Sequence, residues 1–340
     1  MIAIHFPAEW HTQDLVQLTW PHEQTDFAPV YERAVACFCA IAREISKRQR
    51  LLIVCVNKQT VINQLGDIEL DQISFFECES NDVWARDHAA ITVYHNNVPV
   101  LYDFAFNGWG KKFPAEKDTQ ITEKLCNSMF FTHAVRHDYS HFVFEGGAIE
   151  SNGAGVLLTT EACLLSKFRN PHLQKPAIET FLKDIFGAHT VLWLTHGFLQ
   201  GDDTDSHIDT LARFVDEHTI CYVQCLDEND LHYKELRAME LELQSFVSQS
   251  GTKYRLMPLP MVTPCYDDEG ERLPATYANF LILNNAVLLP VYNCNTDEEA
   301  IHIMQQLFPQ REIVPIDCSV LILQHGSLHC VTMQYPKGVL

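Results

Sequence analysis

The stretch Phe214-Val-Asp-Glu-His-Thr-Ile-Cys-Tyr-Val-Gln-Cys225 sets two strand-like apolar runs on either side of the turn Asp216-Glu217-His218. A segment with helical spacing of apolar residues follows, from Tyr233 to about Ser248, and then a third run, Tyr254-Arg-Leu-Met257. The order is strand, strand, helix, strand. The strand, helix, strand part of that order occurs four more times. Leu15 to Pro21, a helix expected from about Tyr31 to Arg50, and Leu51 to Val56 make the first unit. Val98 to Phe104, a helix near Thr119 to Met129, and a weak strand near Thr132 to Val135 make the second. Val156 to Thr160, a helix from about Pro176 to Phe186, and Thr190 to Leu194 make the third. Ala286 to Val291, a helix from Asp297 to Phe308, and Glu312 to Ile316 make the fifth.

In the second to fifth units a further strand-like run precedes the first strand across a turn, at Asn96-Asn97, Asn152-Gly153, Asp216-Glu217-His218 and Asn284-Asn285. Successive units lie 58 to 83 residues apart, so the repeat is one of structure rather than of text. Five ββαβ units, none able to bury its faces alone, predict an α/β fold: a five-bladed, pseudo-symmetric β/α propeller with helices outside. The competing arrangement is an open α/β sheet with coincidental spacing. No Pro/Gly/Ser-rich linker divides the chain, so residues 1–340 are expected to form a single domain.

The 340 residues carry 24 Lys and Arg against 44 Asp and Glu, a net charge of −20. Such a chain repels phosphate backbones and anionic membranes unless it concentrates a basic patch, and the longest basic run is only Lys47-Arg48-Gln49-Arg50. No nucleic-acid partner is therefore expected. No apolar run approaches the ~20 residues that span a bilayer, and the first ten residues resemble no export signal. A cytoplasmic protein is expected. Several of the twelve cysteines, including Cys37, Cys39, Cys55, Cys221 and Cys225, sit in apolar runs, and none forms a Cys-x-x-Cys pair. They read as reduced, mostly buried thiols rather than a disulfide or zinc framework.

Polar residues collect after the last strand of a unit and before the next hairpin: Asn81-Asp-Val-Trp-Ala-Arg-Asp87, Phe144-Glu-Gly-Gly-Ala148, Gly201-Asp-Asp-Thr-Asp-Ser-His-Ile-Asp209, Ala275-Thr-Tyr-Ala-Asn-Phe280 and His325-Gly-Ser-Leu-His-Cys330. In a pseudo-symmetric ring these equivalent positions converge on one central site. On an extended strand Asp205, His207 and Asp209 would share one face, fit to bind a metal, hold a cation or perform acid–base work. A solvated acidic loop is the plainer reading. Asp82 and Arg86 read as a structural ion pair. Trp84, beside Asp87, is either core or the wall of an aliphatic binding site. Cys330 is the candidate nucleophile, with His207 a better base than the adjacent His329, which points the other way in extended chain.

Taken together, Asn81 to Asp87, Phe106-Asn-Gly-Trp-Gly110, Glu145-Gly-Gly147, Leu157 to Leu165 with Arg169-Asn-Pro171, Asp202 to Asp209 and Gly326 to Gln334 resemble the agmatine deiminases, the bacterial peptidylarginine-deiminase-type family of the guanidine-modifying superfamily. The resemblance spans nearly the whole chain and implies the same five-bladed fold. It implies that Cys330 is the nucleophile, His207 the general acid and base, and Glu145 the carboxylate that orients His207. Asp87 and Asp209 would grip a guanidinium, with Trp84 packing nearby. It departs from the family at Ser206, where glycine is common, and at His88-Ala89-Ala90. The implied chemistry needs no metal and no cofactor. The implied partner is a small cationic guanidino substrate, whose far ammonium Asp202 or Asp203 could meet. Deimination of free or peptidyl arginine, and a catalytically silent cation-binding protein, are the alternatives, and a homo-oligomer remains open.

Overall fold

In the computed structural model, which describes residues 2–340, the five units form five separate small sheets, three with three strands and two with four. In each, the first strand of the unit pairs in parallel with the strand after the crossover helix. The pairs are Gln13–Thr19 with Arg50–Cys55, Val98–Ala105 with Val135–Val143, Val156–Thr160 with Thr190–Leu194, Thr219–Gln224 with Arg255–Pro260, and Ala286–Val291 with Glu312–Asp317. The first strand of each pair lies inside its sheet and is buried along most of its length, because helices or neighbouring sheets cover both faces.

The expected hairpin strands are present as antiparallel partners at Ile91–His95, Glu150–Ser151, Ala212–Asp216 and Leu281–Ile282. Asn96 and Asn97 both take positive φ, 50° and 67°, which lets a two-residue turn follow the twist of its strands. The crossover helices are amphipathic. Tyr31–Ser46 buries Ala34, Cys37, Phe38, Ile41, Ala42 and Ile45, one continuous stripe at helical spacing.

Three features differ from the sequence reading. The first sheet takes its antiparallel strand, Thr332–Pro336, from the other end of the chain, so the two ends are joined through backbone pairing with Gln13–Thr19. That sheet also gains Ile73–Glu77 after an extra helix, Lys58–Leu65, which Asn57 caps by accepting from the Thr60 amide. The last strand of the second unit runs Val135–Val143 rather than ending at Val135. Its polar residues hide it from a hydrophobicity reading because it is a partly exposed edge. All twelve cysteines are free thiols, and no helix among the described residues is long and apolar enough to cross a membrane.

Candidate active site

Each of the five sheets contributes to a single cluster, always from the connection that leaves its last strand, the third unit with two side chains and the others with one each. Asp87 lies on the short helix Ala85–His88, Glu145 lies two residues beyond the end of Val135–Val143, and His207 and Asp209 lie between Thr190–Leu194 and Ala212–Asp216. Asn279 precedes Leu281–Ile282, and Cys330 precedes Thr332–Pro336. The connections are pinned to one another. The Arg86 amide donates to Cys330 O at 3.0 Å, the Gly147 amide to Asp87 Oδ1 at 3.1 Å, and Asn279 Nδ2 to Asp209 O at 3.3 Å.

Cys330 lines a pocket of about 410 Å³ together with Trp84, Asp87, Trp109, Phe113, Asp203, Asp26 and His325. No lysine or arginine lines it. The Trp109 indole donates to Asp87 Oδ2 at 2.8 Å and packs edge-on against Trp84, so both rings wall the pocket. To do so Trp109 adopts φ 53°, within a run in which Gly108, Gly110 and Lys111 also have positive φ. Left-handed backbone at a bulky aromatic costs ~1–3 kcal/mol and is retained where the surroundings over-determine it.

His207 and Asp209 are fully buried. His207 Nδ1 lies 3.6 Å from Asp87 Oδ1 and its Nε2 3.9 Å from Glu145 Oε2. Neither ring nitrogen makes a hydrogen bond within the protein. Glu145 is held by Arg169, whose Nε donates to both carboxylate oxygens at 3.0 and 2.9 Å. Arg169 is fixed in turn by Asp205 at 2.6 Å and by Thr204 O at 2.8 Å. Asp209 Oδ2 accepts from His329 Nδ1 at 2.8 Å, and its Oδ1 is left without a protein donor. Asn279 Oδ1 accepts from the amides of His329 and Cys330 at 2.9 and 3.3 Å and lies 3.3 Å from the Cys330 sulfur, which fixes the loop bearing the thiol.

Burial dominates the protonation states. It pushes the Cys330 thiol well above its ordinary range, reinforced by Asp209 and Asp87. It pushes His207 down to about 3, against the opposing pull of Asp209. Asp87 is also raised, by burial and by the nearby charges of Asp209 and Glu145. For Asp209 burial works upward, but the hydrogen bond and charge of His329 outweigh it and leave the group low. The protein on its own therefore keeps a neutral thiol and a neutral imidazole beside at least one ionised carboxylate.

Asp205, His207 and Asp209 do not share a strand face. Asp205 and Ser206 both take φ 65°, and Ile208–Thr210 is a turn of 3₁₀ helix, so Asp205 swings away to Arg169 and Lys112. The expected Asp82–Arg86 ion pair is absent too, because Asp82 accepts from Trp84 Nε1 and the Val83 amide. Of the two aspartates offered for a far ammonium, Asp202 caps Thr204 and Ser206, while Asp203 lines the pocket. Arg169, Trp109 and Asn279 lie within the motifs and polar clusters of the sequence, and Asp26 lies outside them. What they do depends on contacts between distant connections.

Glu145, Cys163 and His207 each bring one ligand atom within 4.8 Å of the others, as do Glu9, Glu150 and His329. Arginine already occupies the carboxylates of both trios: Arg169 on Glu145, and Arg213 on Glu9 and Glu150. A divalent cation would have to enter beside a fixed guanidinium.

Gly147 leaves no room for a side chain. A Cβ there would lie 2.5 Å from His207 Nδ1 and 2.9 Å from Asp87 Oδ1. Gly147→Ala should therefore displace both groups and lower turnover by roughly 100-fold, with the circular dichroism spectrum unchanged.

A thiol, an imidazole and several carboxylates thus converge beneath an aromatic-walled pocket lined by acidic side chains and by no lysine or arginine. By sequence, the chain belongs to the Porphyromonas-type peptidyl-arginine deiminase family, whose profile matches residues 5–336. An agmatine deiminase of Ectopseudomonas mendocina is 30% identical, over 98% of this chain and 96% of the relative. A candidate arginine deiminase from Porphyromonas gingivalis superposes with a TM-score of 0.95 at 49% identity, over 99% of both chains. The C. jejuni agmatine deiminase, solved with substrate bound as a Cys-to-Ser variant, superposes at 0.93 with 38% identity, over 100% of this chain and 98% of that one.

Proposed function

We propose that this protein is a hydrolase of guanidino C–N bonds that converts agmatine to N-carbamoylputrescine and ammonia. The observation that carries this reading is the pocket at Cys330: lined by Asp26, Asp87 and Asp203, walled by two tryptophans, and without a lysine or arginine. Free arginine would need a permanent cation for its α-carboxylate, and Arg86, the one arginine or lysine among the polar clusters, lines a different cleft. The likeness to the P. gingivalis candidate arginine deiminase makes arginine the second reading.

In the proposed mechanism Asp87 and Asp209 hold the planar guanidinium by charge-assisted hydrogen bonds, which presents its central carbon to Cys330. The bound cation offsets the carboxylate charges that raise the thiol, so the Cys330 proton passes to His207 as the sulfur attacks. His207 returns that proton to the leaving nitrogen, which departs as ammonia, and a cationic amidino-thioester remains on Cys330. Water then gives a proton to His207 as its oxygen adds to the same carbon; the C–S bond breaks, the adduct's hydroxyl proton returns to the sulfur, the neutral ureido product leaves, and His207 releases its proton to solvent or to the departed ammonia. Glu145, clamped by Arg169, orients the imidazole. These steps call on no metal or cofactor.

The same reading takes the five sheets as blades of a ring closed by the pairing of the chain ends, and residues 1–340 as one catalytic unit. The meeting of side chains from five equivalent connections in one site supports it. A cytoplasmic role in putrescine formation fits the reduced thiols and the substrate.

Initial rates of ammonia and ureido-product release from agmatine, arginine and an arginyl peptide test the proposal. Turnover of agmatine well above the others is expected, and a preference for arginine would overturn it. Asp203, at the mouth, is assigned to the far ammonium. Asp203→Asn should raise the KM for agmatine about ten-fold with little change in kcat. An unchanged KM would move that role to Asp26.

A further inference from the structure

Consecutive residues near the thiol face two different clefts. Asp87 and Cys330 line the substrate pocket, whereas Arg86 and His329 line a second cleft of about 570 Å³ that shares no lining residue with the first. Three polar atoms of residues lining this second cleft form no hydrogen bond within the protein: Arg86 Nη2, Thr92 Oγ1 and Gln334 Oε1. Arg86 is buried and has no carboxylate partner. Its Nε reaches only His329 O, and its Nη1 only the Met333 sulfur, each at 3.4 Å. The two carboxylates in the same wall are already engaged. Glu9 takes Arg213 and His329, both at 2.7 Å, and the Ile282 amide; Glu150 takes Arg213 and the Phe214 amide. A buried guanidinium with a nitrogen unbonded is costly, and the other unbonded groups in the lining of this cleft are a hydroxyl and a side-chain amide whose N and O can exchange by rotation.

We propose that this second cleft is a binding site for a small monoanion, a carboxylate or a halide, held by Arg86 Nη2, the Thr92 hydroxyl and the Gln334 amide turned to donate. The anion supplies Arg86 Nη2 with the hydrogen-bond acceptor that the protein does not. Because the Arg86 amide bonds Cys330 O, the occupied cleft also braces the segment that carries the nucleophile.

Thermal melting of the full-length protein in sodium formate and in sodium bromide tests this, against the sodium salt of a bulky sulfonate at equal ionic strength. The melting temperature should rise by a few degrees with formate, bromide or both, and the two arms separate a carboxylate site from a halide site. Thr92→Val, nearly isosteric and outside the catalytic cluster, should weaken the apparent affinity about ten-fold. Crystals grown in bromide should show an anomalous peak within hydrogen-bond distance of Arg86. Equal melting in all three salts with only water beside Arg86, or a Thr92→Val response identical to that of the unmodified protein, would overturn the proposal.

Discussion

Cys330→Ala should abolish release of ureido product from agmatine, a loss of about 10⁴-fold or more in kcat. Every bond change in the proposed mechanism passes through that sulfur, and removing a nucleophile that acts as a unit with its base forfeits most of what both contribute. The change should cost little stability, since it removes one small side-chain atom whose side-chain hydrogen-bond partner is Asn279 Oδ1. Mass spectrometry supplies the matching check. Agmatine mixed rapidly with the unmodified protein and quenched in acid should leave an amidino adduct on Cys330. Turnover by the alanine variant would remove the covalent route altogether.

Asp209→Asn is the second large effect, and it should act in opposite directions on two measurements. Truncating one side of a buried charge pair costs about 2 to 5 kcal/mol, so kcat/KM for agmatine should fall between roughly 30-fold and several thousand-fold. The ionised Asp209 carboxylate is also the first charge that holds the Cys330 thiol up, after burial itself. Removing that negative charge lowers the thiol's pKa, so Cys330 should react faster with iodoacetamide at pH 8 in the variant. Loss of turnover with faster alkylation identifies a guanidinium clamp; loss of both would indicate a disordered site instead.

The unit structure was legible because its signals are local. Thr190–Leu194 and Ala286–Val291 have the ends that the apolar runs predict, and the Asn96-Asn97 turn is written in two adjacent residues with a tolerance for positive φ. The pairing of Thr332–Pro336 with Gln13–Thr19 was not legible, since it joins residues over three hundred positions apart with no turn between them. Asp205 misled for a related reason. Alternation would have put it beside His207, but two successive residues at φ 65° turn it to Arg169.

The amino-acid sequence by itself determined the ββαβ rhythm and the places where polar residues interrupt it, and through its motifs it pointed to Cys330, His207, Glu145, Asp87 and Asp209. Hydrophobic periodicity and turn chemistry act over a few residues, so a linear reading can find them. Only the tertiary structure decided which polar groups meet: Arg169 on Glu145, Trp109 on Asp87, Asn279 at the thiol, and Arg86 facing a separate cleft. Those contacts join connections from different sheets, and so do the burial and neighbouring charges that leave the thiol and the imidazole neutral. Both arise only when distant segments pack together.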